Sequence, residues 1–137
     1  MAVSDSVVTV SMVAGTTFSS TCLYKAVFVD SSGHAISDPS STGVTAAVGG
    51  AIGSLYGVTG TTAGAGVEAV PVAIEGVMKA QMAASTIAAG QYVGASSGGL
   101  FGTPTTDYPA FGIVVRGSSG AAGHVVEIVK TGHGPTA

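Results

Sequence analysis

Tryptophan and asparagine are absent from this 137-residue chain, cysteine occurs once, and charged side chains fill only 8% of the positions. Each scarcity narrows the field. Ordinary soluble domains are about 25% charged, and the four basic residues here, Lys25, Lys79, Arg116 and Lys130, stand one at a time. Phosphate neutralisation needs such residues clustered, so direct binding to DNA or RNA is not expected. A net charge of −3 is too small for an acidic tail or strong steering of a partner. The lone Cys22 cannot close an intrachain disulfide and reads as a small buried apolar group in a reducing compartment. The opening MAVSDSVVTV has no basic n-region and carries Asp5 before any apolar run, which is not how a secretory signal starts. The longest apolar run, residues 43–58, is diluted by Gly, Ser and Thr and is shorter than the roughly 20 residues of a membrane span, despite the GxxxG spacing of Gly49 and Gly53. Synthesis in the cytoplasm and no membrane partner are the expectations.

What the chain does contain is glycine, at 22 positions, and hydrophobic residues at 46%. Strand-length segments rich in β-branched and aromatic residues recur along it: VVTVSMV, LYKAVFVD, SLYGVT, VEAVPVAIEG, GQYVGA, FGIVVRG and HVVEIVK. Helical periodicity is weak and confined to KAQMAASTIAAG, where alanine permits a turn or two before Gly90. TAAVGGAIG reads equally as a short helix or an irregular excursion. Three segments, VFVDSSGHAIS, QYVGASSGGLF and VVRGSSGAAGHVV, place Ser-Ser-Gly between two strand-like pieces. Turns are therefore expected at residues 31–33, 96–98 and 118–120, with glycine supplying positive φ and serine hydroxyls satisfying backbone groups.

GASSG, residues 94–98, fits the GxSxG pattern of a hydrolase nucleophile, and Ser96, Asp107 and His124 follow in hydrolase order. The nucleophile elbow requires a helix directly after the serine, whereas GGLFGTPTTDYP is glycine- and proline-rich, so the motif reads as a β turn. GTTAGAG, residues 60–66, lacks the Lys and Ser/Thr of a phosphate loop. His34, His124 and His133 have no paired metal-ligand spacing. Glu68 and Glu75 are seven residues apart, on opposite faces of a strictly alternating strand, and do not form an acid–base pair. No enzyme activity, cofactor or metal is expected.

The order of four segments carries a resemblance over residues 9–130. LYKAVFVDSSGHAIS is an apolar strand ending at a turn. LYGVTGTTAGAGVEAVPVAIEGVMKAQ is a Gly-Val strand, an Ala/Gly loop and a long strand closing on a second Gly-Val. IAAGQYVGASSGGLF follows, and AFGIVVRGSSGAAGHVVEIV ends the series with a Val-rich strand. In this order the chain resembles the tailed-phage head decoration, or capsid cement, proteins. The resemblance implies a non-enzymatic structural protein that assembles as a homotrimer on the outer surface of a head built from the major capsid protein. Few charges and many small residues agree with a particle whose surface is partly covered by neighbours.

The expected fold is mainly β, a single-domain β-barrel or sandwich-like body over residues 14–131 with at most one or two short helices. An N-terminal arm, residues 1–13, precedes it and a short tail, residues 132–137, follows. Because VVTVSMV is a good strand with no charge to protect an exposed edge, the arm is expected to pair with a neighbouring subunit or the shell through Val3, Val7, Val8, Val10 and Met12. The alternative function is a phage fibre or surface domain that binds a host receptor or glycan through exposed aromatics. The supply for that is thin, four Tyr and four Phe.

Overall fold

Period-two alternation is realised as nine strands in a computed structural model that describes residues 7–37, 51–58, 68–83, 86–95, 97–104, 110–118 and 120–131. The strands are β1 (Val7–Val13), β2 (Ala26–Val29), β3 (Ala35–Ile36), β4 (Gly53–Leu55), β5 (Ala69–Gln81), β6 (Tyr92–Ala95), β7 (Phe101–Gly102), β8 (Ala110–Arg116) and β9 (Val125–Lys130). The chain is mainly β, and the described residues contain no α-helix, only 3-10 turns at Ser20–Cys22 and Ser97–Gly99.

One antiparallel sheet runs β3-β2-β4-β5-β9-β8-β6-β7, with β1 added on β5. The 13-residue β5 organises it. β1 and β4 both pair with Val72 and Ala73, so they occupy opposite edges of its N-terminal half. Residues 77–81 pair with β9. Both ends of the sheet then curl back. Phe101 of β7 bridges Met82, just past β5, and accepts a hydrogen bond from the Ala83 N–H at 2.7 Å. Ala35 of β3 bridges Ala14, just past β1, and accepts from the Gly15 N–H at 2.7 Å.

Two apolar clusters fill the halves, and β5 contributes to both. Val70 and Val72 join Ala14, Phe18, Val27, Ala35 and Leu55 in the smaller cluster. Ala73, Met78, Ala80 and Met82 join Phe28, Ile36, Val93, Phe101, Phe111, Val114, Val126 and Ile128 in the larger one. Strict alternation cannot send Val72 one way and both Ala73 and Met78 the other. The parity changes at an irregularity: Val8 and Thr9 oppose Glu75 and Ala73, leaving Ile74 extra, and Gly76 follows with φ 89°. A bulge adds one residue and reverses which face later side chains take. Gly76 supplies the left-handed backbone such a kink needs. The sheet β3-β2-β4 is consequently covered on both sides, with Val27 facing one cluster and Ala26 and Phe28 the other.

One expectation changes here. KAQMAASTIAAG forms no helical turn among its described residues. Lys79, Ala80 and Gln81 finish β5, paired with β9, and buried Ala80 and Met82 alternate at strand period; sheet pairing overrides the helix propensity of alanine. The third expected turn, residues 118–120, contains Ser119, which lies outside the described residues; past it the chain turns at residues 121–123, where Gly123 takes φ 90°. The first falls as expected: Asp30 Oδ1 accepts the Ser32 and His34 N–H groups at 2.9 Å each, and the Asp30 C=O accepts from Gly33. At the second, Ser97–Gly99 forms a tight turn, while Ser96 lies outside the described residues. Most of residues 41–53, all of GTTAGAG and the C-terminal tail also lie outside them.

Candidate interaction surface

β1 is part of the chain's own sheet, and among the described residues its second edge is paired only at its C-terminal end. Ala14 donates its N–H to Glu68 beside β5, whereas Gly15 donates to Ala35 on the other side. Backbone groups alternate along a strand, so Val7, Thr9, Ser11 and Val13 direct their N–H and C=O away from β5. Among the described residues β3 reaches that edge at its C-terminal end, where Ala35 bridges Ala14, and no strand pairs with it from Val7 to Met12. Two side chains anchor β1: Val7 packs against the larger cluster and Met12 against the smaller. Val8, Val10 and Val13 are 49%, 38% and 41% exposed. No Lys, Asp, Glu, Arg or Pro stands between Val7 and Val13, and those are the residues that normally blunt an edge. Val3 lies outside the described residues.

The other sequence candidates fall only in part among the described residues. His124 is exposed in the turn before β9, where its Nδ1 faces the Gly120 N–H at 3.4 Å and its C=O accepts from Met82 at 2.8 Å. Ser96, Asp107 and His133 lie outside the described residues. His34 belongs to the Asp30 turn, its Nδ1 3.9 Å from Asp30 Oδ2. Among the described residues no three His, Cys, Asp or Glu side chains gather as metal ligands, and no helix is long and apolar enough to cross a membrane. Cys22 is half-buried against the smaller cluster. No family model, no curated protein and no solved structure matches the chain. The β1 edge, a feature of backbone and packing, is therefore the candidate site.

Three of the four basic residues are engaged locally. Arg116 pairs with Glu127 on the neighbouring strand, and the Lys130 ammonium lies 5.7 Å from the Phe111 ring centre. Lys79 is part of a clamp that sequence reasoning missed. Ser54 Oγ donates to the Lys79 C=O at 2.6 Å, and the Lys79 N–H donates to Tyr56 Oη at 2.6 Å. Tyr56 meets Tyr24 edge-on at 5.4 Å, and the Lys79 ammonium lies 5.4 Å from the Tyr24 ring centre. Tyr24 is the one non-glycine with positive φ among the described residues, at 65°. Its backbone is held on both sides, its N–H donating to Leu55 and its C=O accepting from Gln81, which offsets the strain of that conformation. Side chains thus take over where β4 ends and β5 continues.

Burial pushes the Tyr56 hydroxyl above its ordinary range, against the opposing effect of the Lys79 N–H. A raised folded-state pKa means stability that is complete below about pH 10 and declines as pH rises through the higher folded value. Tyr56→Phe should cost about 1–2 kcal/mol at pH 8 by leaving the Lys79 N–H without its acceptor. The same variant should also lose less further stability between about pH 9 and 11 than the parent. Urea melts of both proteins across that range check the two signs together.

Proposed function

We propose that the chain is a capsid cement protein, a homotrimer seated on the outer surface of a tailed-phage head, where it reinforces contacts between capsomers of the major capsid protein. The observation that carries this reading is the β1 edge. An uncharged, half-exposed strand is fixed on a body whose central sheet is packed on both faces, which suits a rigid adaptor that binds through backbone pairing and apolar contact. The sequence resemblance points the same way. In this reading the mechanism is mechanical: three copies in one trimer repeat each modest contact, and effective concentration converts weak single contacts into durable attachment. The receptor-binding alternative draws less support. Phe18, Phe28, Phe101 and Phe111 are buried, Tyr24 and Tyr56 are half-buried in the clamp, and Tyr92 alone of the described aromatics is exposed.

Attachment should be insensitive to salt, because charges are few and dispersed along the chain and Arg116 is already paired with Glu127. Purified protein added to undecorated heads should co-sediment in fixed ratio to the capsid protein at both about 0.1 M and about 1 M salt, between which the Debye length falls from roughly 10 to 3 Å. Absence of binding, or release of the bound protein at the higher salt, would count against the reading.

A further inference from the structure

We propose that Met12 is a site of reversible oxidation by a peroxide, and that the sulfoxide formed there loosens the hold of β1 on the sheet. Burial singles this methionine out. Met78 and Met82 are both 0% exposed within the larger cluster, whereas Met12 is half-buried on the rim of the smaller one. A thioether sulfur is nucleophilic as it stands and needs no base to activate it, so access decides its rate of oxidation. Among the described methionines a dissolved peroxide therefore meets Met12 first.

The step is an oxygen-atom transfer. A lone pair of the Met12 sulfur attacks one peroxide oxygen, the O–O bond breaks and the S–O bond forms. The second oxygen takes the proton and leaves as water from hydrogen peroxide, or as an alcohol from an organic hydroperoxide. Sulfur loses an electron pair and the peroxide gains it. A dithiol reverses the change through a sulfoxide reductase, giving back the thioether with a disulfide and water.

The make-up of β1 renders it sensitive to this change. Val7 and Met12 are its half-buried residues, and Val8, Thr9, Val10, Ser11 and Val13 are exposed. Side-chain packing is thus concentrated in two residues, one for each end of the strand. Met12 stands opposite Val70, which is 1% exposed and belongs to the smaller cluster. A flexible apolar thioether suits that rim. A sulfoxide is polar, and its oxygen has to be hydrated or hydrogen-bonded. Turning that oxygen to water draws the side chain off Val70 and leaves β1 held by Val7 and its backbone bonds. The candidate surface lies on the same strand, so oxidation also governs how firmly that surface is presented. The proposal stands apart from the capsid reading and is tested without heads.

Peroxide treatment of the full chain tests it. A Cys22→Ser background removes the other sulfur that packs against the smaller cluster. Peptide mass mapping should find the added oxygen on Met12 well before Met78 or Met82, which should react only once urea unfolds the chain. In the oxidised protein, hydrogen exchange should accelerate about tenfold or more at Met12 and Ala14, whose N–H groups face β5. Exchange in β9 should stay unchanged, and reductase treatment should restore the parent rates. Met12→Leu should keep those rates and be indifferent to peroxide, which also controls for oxygen added to Met1. Met12→Gln, polar and of similar length, should show the fast exchange with no oxidant present. Reaction of Met78 or Met82 in the folded protein as fast as Met12 would overturn the proposed selectivity. Slow β1 exchange persisting in the Met12 sulfoxide or in Met12→Gln would overturn the loosening. Acceleration by peroxide in Met12→Leu as well would place the effect on another residue and sink the proposal equally.

Discussion

Gly53→Ala should prevent β4 from pairing with β5 and destabilise the protein by about 3 kcal/mol or more, the upper end of what overpacking costs. A Cβ at position 53 would sit 2.0 Å from the Ala73 carbonyl oxygen and 3.0 Å from Val72 Cγ1. The obstacle is backbone, which no rotamer change can move, and β4 is also held from its other side by Val27 of β2. Relief requires the two strands to separate, breaking the pairing of Ser54 and Leu55 with Ala73 and Val72 and exposing both clusters. Gly33 provides the contrast. A Cβ there meets nothing within 4 Å, and only its φ of 81° opposes a side chain, so Gly33→Ala should cost about 1–2 kcal/mol. Thermal melts of the two variants separate the causes: a small, clean shift for position 33, and for position 53 a collapse of the transition or failure to accumulate folded protein. Equal shifts would mean that β4 and β5 can move apart to admit the methyl group at little cost.

The same strand shows how far the sequence could be read. Each strand-like segment became a strand because period two and β-branched residues act locally and need no knowledge of partners. β5 was foreshortened in that reading. Gly76 looked like its end, yet Val77, Met78 and Lys79 continue it on the far side of the kink. An isolated glycine inside an apolar alternation is the signal for such a bulge. What composition cannot supply is the consequence: the strand changes the core it faces, because that depends on where β1, β4 and β9 attach. The same reversal undoes the argument that placed Glu68 and Glu75 on opposite faces, since it assumed strict alternation and the extra Ile74 lies between them.

The candidate surface was legible in part. VVTVSMV declares itself as an unprotected strand from sequence alone, and Val7, Val8, Val10 and Met12 are all in β1. That Val7 and Met12 are anchors, while Val8 and Val10 are open, follows only from which cluster each meets. This division also changes how the strand should be probed. Deleting residues 1–13 would uncover the β5 edge and remove packing from both clusters, whereas a change at Val10 leaves the anchors in place. The clamp of Ser54, Tyr56 and Lys79 left no trace in the sequence, because its hydrogen bonds join residues more than twenty positions apart.

Phe101→Ala tests whether the two halves are separate cooperative units. Phe101 is fully buried, its ring 5.6 Å from that of Phe111, and its backbone closes the seam with Met82 and Ala83. Truncation leaves a cavity in the larger cluster, and aromatic-to-alanine changes of this kind cost about 3–5 kcal/mol. Against the 5–15 kcal/mol that holds a typical domain together, that is a large fraction, so the melting temperature should fall steeply. The distribution of the loss carries more information than its size. The Ala83 N–H is bonded to Phe101 itself, while the Gly15 N–H closes the other seam beside the smaller cluster. If β5 couples the halves only through its backbone, hydrogen exchange in Phe101→Ala should accelerate at Ala83 by orders of magnitude more than at Gly15. Equal acceleration at both amides would show one cooperative unit, and β5 would then transmit strain through its bulge to the sheet that carries β1.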